Sequence, residues 1–80
     1  MKSNAETLTL EVVGDLLVNR HITEANLLAE LLPMAKRGDI VAITRISDMA
    51  QMRWLGDLYM PTLTAVEWYE KIHALKKAWK

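Results

Sequence analysis

Glu70 and His73 stand three residues apart, a spacing that puts a carboxylate and an imidazole on one face of a helix. Such a pair is the half-motif of a di-iron carboxylate bundle, and a homodimer would supply a second copy. The ligand set would still lack two carboxylates from facing helices, so no metal is expected. His21 lies beside Arg20 and near Glu24 and reads as a solvated turn residue, which only its titration range would let sense pH. Gly14, Gly38 and Gly56 are isolated, and each is followed by Asp, a pattern of helix ends and turns rather than of a phosphate-cradling loop. The chain has no cysteine, which excludes disulfide staples, thiolate metal sites and cysteine catalysis. No nucleophile is paired with a base. The expectation is a protein that is not an enzyme and uses no cofactor.

The elements that would carry these residues are clearest at the C-terminal end. Thr64 and Glu67 have the spacing of a capping box, Leu63 and Trp68 that of a hydrophobic staple, and Trp68, Ile72, Leu75 and Trp79 recur along one helical face. The first segment, 7–22, is ambiguous. Leu8, Leu10 and Val12 alternate like a strand with Gly14-Asp15 as a hairpin turn, whereas in a helix Leu10, Val13 and Leu17 would share one face with Val12 and Leu16 beside it. The downstream residues favour helix over 7–19, because Thr23 can cap a second helix whose Leu27, Leu28, Leu31 and Leu32 form an apolar stripe. The run from Val13 through Gly14 and Asp15 to Leu16, Leu17 and Val18, with Ile22, Thr23 and Glu24 after it, resembles the helix, tight turn, helix opening of the N-terminal domains of type II secretion ATPases. That resemblance implies a helical hairpin. The cyclic-dinucleotide-binding members of the family carry an arginine before the Leu-Gly step, where this chain has Val12 and Val13 before Gly14, so their nucleotide function is not implied.

Pro33 lacks the amide that would bond to Ala29, which predicts an end or kink within a helix over 23–36. Gly38 is a stop, and Asp39 can cap a segment whose Ile40, Val41, Ile43, Thr44 and Ile46 leave a short strand open over 40–46. Ser47 or Asp48 would cap a helix over 48–59, with Met49, Met52, Leu55 and Tyr59 at helical spacing, and Pro61 would separate it from the last helix over 64–79. The fold expected is all-α: a compact bundle of four to five short helices, with a small β element open near 7–22 or 40–46. Connections look short throughout, which favours one domain over 1–80 with residues 1–6 disordered.

Eighty residues that are 51% apolar, with three glycines and two prolines, make disorder of the whole chain untenable. So small a domain has little room to hide its methionines, three tryptophans and two tyrosines. The leading expectation is therefore a small regulatory protein, an adaptor or inhibitor, that binds a larger protein and forms a homodimer. Its contact faces would be Met52, Arg53, Trp54, Leu58 and Tyr59 on one helix and Trp68, Ile72 and Trp79 on the last.

Net charge is zero, yet residues 1–70 carry six Lys/Arg against ten Asp/Glu while residues 71–80 carry four Lys and no acid. The basic end complements a helix macrodipole or meets an anionic partner. The alternative is accordingly a DNA-binding regulator of helix-turn-helix type, touching phosphates through Arg45, Arg53, Lys71, Lys76, Lys77 and Lys80. The absence of a basic stripe on any one helix argues against it. No apolar run approaches a membrane span, and Met1 to Thr9 lacks the apolar core of a signal peptide, so a cytoplasmic protein without a membrane partner is expected.

Overall fold

The ambiguous first segment is helical. In the computed structural model, which describes residues 4–79, α1 runs from Asn4 to Val18. Of the tail expected to be disordered, Asn4, Ala5 and Glu6 form the first turn of α1, and residues 1–3 lie outside the described residues. The buried face of α1 is Ala5, Thr9, Val12 and Leu16, while Leu10 and Leu17 of the anticipated stripe point outward. Thr9 makes this rotation possible. Its hydroxyl donates to the Ala5 carbonyl at 2.7 Å and accepts from Trp79 Nε1 at 2.9 Å, so a fully buried polar atom is satisfied on both sides.

The α1 helix ends in a Schellman arrangement: the Arg20 amide bonds to the Leu17 carbonyl and the His21 amide to that of Leu16. Arg20 takes the left-handed position, with φ of 68°. The second helix, α2, runs from Ile22 to Lys36 without a side-chain cap from His21 or a start at Thr23, and it remains helical through Pro33. Only its last turn lies beyond the proline, which limits the cost of the missing hydrogen bond. It closes with the same motif, Gly38 to Ala35 and Asp39 to Met34, here with glycine at φ 86°.

Residues 40–49 form a helix, α3 (Ile40–Met49), instead of a strand. The Asp39 carboxylate caps it by accepting from the amides of Val41 and Ala42. Ala42, Ile46 and Met49 go to the core at helical spacing, while the β-branched Ile40 and Val41 are exposed. Tertiary burial of one face outweighs the β-propensity of the run.

The helix expected over 48–59 does not exist. After Met49 the chain turns at Ala50 to Trp54, makes a single 3₁₀ turn at Leu55–Asp57, and continues irregularly to the final helix, α4 (Ala65–Ala78). The connection from Ala50 to Thr64 is therefore long, against the expectation of short links, and long connections in compact domains are commonly functional. Met49 at the end of α3 and Leu55 and Met60 along the connection are buried, and those intervals do not fit one helix face.

In α4 the expected pattern holds closely. Thr64 Oγ1 accepts from the Glu67 amide at 3.1 Å, and Glu67 Oε1 accepts from the Thr64 amide at 2.9 Å, completing the capping box. These hydrogen bonds hold the Glu67 carboxyl below its ordinary pKa. Trp68, Ile72 and Leu75 then enter a core shared with Leu16, Leu28 and Ile46. The α1 helix packs against both α2 and α4, and ion pairs run along these seams: Lys36 with Glu6 at 2.9 Å, and Lys71 with Asp15 at 2.6 Å. The described residues contain four α-helices and no strand.

Candidate protein-binding surface

The irregular connection carries two of the exposed aromatic residues, Trp54 and Tyr59, and three sets of contacts fix its path. Within it, the Gln51 carbonyl accepts from the amides of Trp54 at 3.1 Å and Gly56 at 2.9 Å. A Cβ on Gly56 would stand 3.2 Å from that same carbonyl and from Met52 Sδ, so a larger residue here would have to displace one of them by a few tenths of an ångström. Toward α4, Trp68 Nε1 donates to the Leu55 carbonyl at 2.7 Å. Toward the α1–α2 turn, His21 Nε2 donates to the Tyr59 carbonyl at 2.6 Å. Asn19 there donates to Thr62 Oγ1 at 2.8 Å and accepts from the Thr62 amide at 3.2 Å. His21 is thus a clamp on the connection, a role its sequence context did not suggest.

Two clefts flank Tyr69 on this side of the molecule. The larger, about 350 Å³, lies between α4 and the turn after α3. Its floor is Ala50 and the buried Ile72, its walls include Met52 and Tyr69, and Arg53, His73 and Lys76 stand around it. No acidic residue lines it. The smaller, about 190 Å³, is bounded by Leu58, Tyr59, Met60 and Leu63 on the connection and by Trp68 and Tyr69 on α4, with no charged lining. Tyr69 joins the two, so apolar surface continues from Met52 to Tyr59. Of its lining residues, Met52, Tyr59 and Tyr69 are substantially exposed, Tyr59 at 79%, and on the same connection Trp54 is 40% exposed.

The residues singled out from sequence divide into three groups. Met52, Arg53, Trp54 and Tyr59 lie on the accessible surface. Leu58 is half-buried against the core. Trp68 and Ile72, each 2% exposed, belong to the core, and Trp79 packs on it with its indole N–H donated to Thr9. The last helix therefore lays its tryptophans against the chain itself.

Of the cations considered for phosphate contact, Lys71 is held between Asp15 and Glu11, and Lys80 lies outside the described residues. Arg45 is the only basic residue of α3 and is exposed, while Lys77 on α4 is exposed as well. Arg53 and Lys76 meet at the larger cleft. Glu70 and His73 are both exposed on α4, and no group of three or more His, Asp or Glu among the described residues could hold a metal ion.

Tyr69 and Gln51 were not anticipated from the sequence. A signal for Tyr69 was present: Tyr69, His73 and Lys76 repeat at helical spacing beside the core stripe of α4. Nothing in the sequence marked Gln51, whose carbonyl organises the turn.

Compared with protein-family models, curated proteins and solved structures, the chain matches none. No helix among the described residues is long and apolar enough to cross a membrane.

Proposed function

We propose that the protein is a non-enzymatic regulatory module, an adaptor or inhibitor, that binds a larger cytoplasmic protein through the surface formed by the Ala50–Thr64 connection and the adjoining side of α4. The observation that carries this reading is the group of exposed Met52, Trp54, Tyr59 and Tyr69 on and beside a segment pinned by hydrogen bonds at Leu55, Tyr59 and Thr62. Aromatic side chains on a prearranged backbone lose little entropy on binding, which is why such residues dominate interface energetics. Methionine adds an adaptable contact.

Self-association belongs to the same reading. The α1 helix exposes Leu10 and Leu17, apolar surface that a second copy would cover, and sedimentation across a concentration series measures it. The DNA-binding alternative has weaker support, since Lys71 is already paired and α3 offers a single arginine.

Affinity capture from the native cell lysate tests the proposal, using tagged wild-type protein and the Trp54→Ala and Tyr59→Ala variants with and without nuclease. The expected result is one protein retained near one-to-one by the wild type, resistant to nuclease and lost from both variants, with helix content unchanged. Retention of nucleic acid alone, or equal retention by wild type and variants, would overturn it.

A further inference from the structure

We propose that the larger cleft is the docking site for an acidic segment of the partner protein, which inserts one apolar side chain between α4 and the turn after α3. This inference rests on the protein-binding reading and specifies the partner's chemistry. Its first ground is shape. Tyr69, Ile72, His73 and Lys76 succeed one another along a single stripe of α4, and Met52 and Arg53 face them across a cleft of about 350 Å³. The floor is apolar and the volume suits a side chain.

Its second ground is charge. Arg53 and Lys76 are the charged residues that line the cleft, together with His73, and no ion pair or hydrogen bond engages the side chain of any of the three among the described residues. Lys36 and Lys71, by contrast, are matched to acids of α1. The chain is neutral overall and acidic over residues 1–70, so a cleft bordered by cations and lined by no acid departs from the rest of the molecule. The neighbouring cleft has no charged lining at all. A carboxylate-bearing strip on either side of an apolar anchor complements both features, because charged rims steer and align a partner while the apolar floor holds it. A nucleic acid fits less well: its regular phosphates call for a track of cations, and here they surround an apolar pit.

The test uses two labelled synthetic peptides that share one central leucine and differ only in flanks of glutamate or lysine, with binding read by fluorescence anisotropy and amide chemical shifts. The glutamate-flanked peptide should bind saturably, with shifts confined to Ala50–Arg53 and Tyr69–Lys76, and at least about tenfold more tightly than the lysine-flanked one. The double variant Arg53→Glu, Lys76→Glu should reverse that preference, with its helix content checked by circular dichroism. Absence of binding by the glutamate-flanked peptide, shifts elsewhere, equal binding of the two peptides, or tighter binding of a thymidine oligonucleotide at the same residues would overturn the proposal. The two readings fail separately. A captured partner that is lost on Trp54→Ala but kept by the Arg53→Glu, Lys76→Glu variant leaves the protein-binding module standing and removes the acidic segment.

Discussion

Arg20 and Gly38 occupy the same position in two successive helix ends, and only one of them suits it. Both have positive φ, 68° and 86°, within matching hydrogen-bond patterns. A side chain in the left-handed region crowds its own backbone, at a cost of roughly 1–2 kcal/mol that glycine escapes. Arg20→Gly should therefore raise stability by about 1 kcal/mol, and Gly38→Ala should lower it by about the same amount. No atom outside the local backbone would meet the new Cβ of Gly38, so denaturant melts of the two variants isolate backbone conformation from packing. Nothing in the structure explains why arginine stands at position 20.

Among the elements, α4 is the most self-contained and the Ala50–Thr64 connection the most dependent on others. Removing the cap with Thr64→Ala should cost about 1 kcal/mol. The lowered pKa of Glu67 adds a pH dependence. Because the folded carboxyl titrates below its unfolded value, its contribution is complete above the ordinary glutamate range and disappears as pH falls through the folded value. The difference in melting temperature between wild type and Thr64→Ala should accordingly narrow in acid.

The connection presents a different test. Asn19→Ala removes both bonds to Thr62 and a third, from its side-chain amide to the Asp15 carbonyl at the end of α1, so amide exchange should quicken over residues 59–63 and at the last turn of α1 while α2, α3 and α4 keep their protection. The same variant should weaken partner binding if a pinned connection is what makes Tyr59 effective. Equal exchange in wild type and variant would show that the Leu55 and Tyr59 contacts suffice.

For the whole molecule, the decisive contrast is between two tryptophans that the sequence presents alike. Trp68 is 2% exposed and hydrogen-bonded to the Leu55 carbonyl, whereas Trp54 is 40% exposed. Trp68→Ala should cost roughly 3–5 kcal/mol, a large part of the stability of a domain this size, which is on the order of 4–12 kcal/mol. Trp54→Ala should cost under about 1 kcal/mol. Urea unfolding of both variants reads the difference directly, and similar losses would put Trp54 in the core and remove the contact surface proposed for it.

Features that depend on near neighbours were legible in the chain before it folded. The capping box of Thr64 and Glu67, the Asp39 cap, the glycine stop at Gly38 and the apolar stripe of α4 are each written within a few residues, and each is present as expected. The all-α class resulted, because those signals repeat along the chain. Which way a stripe faces was a different matter. In α1 the face with the stronger hydrophobic residues, Leu10 and Leu17, lost to one containing Ala5 and Thr9, since α2 and α4 pack closely there and Trp79 supplies the hydroxyl's partner. The path of Met49 to Thr64 was likewise settled by residues distant in sequence: Trp68 takes the Leu55 carbonyl, His21 that of Tyr59, and Asn19 grips Thr62. Helical spacing over 49–59 could not foresee this, because periodicity reports a chain's local preference, whereas burial and hydrogen-bond satisfaction are fixed only when all the helices are in place.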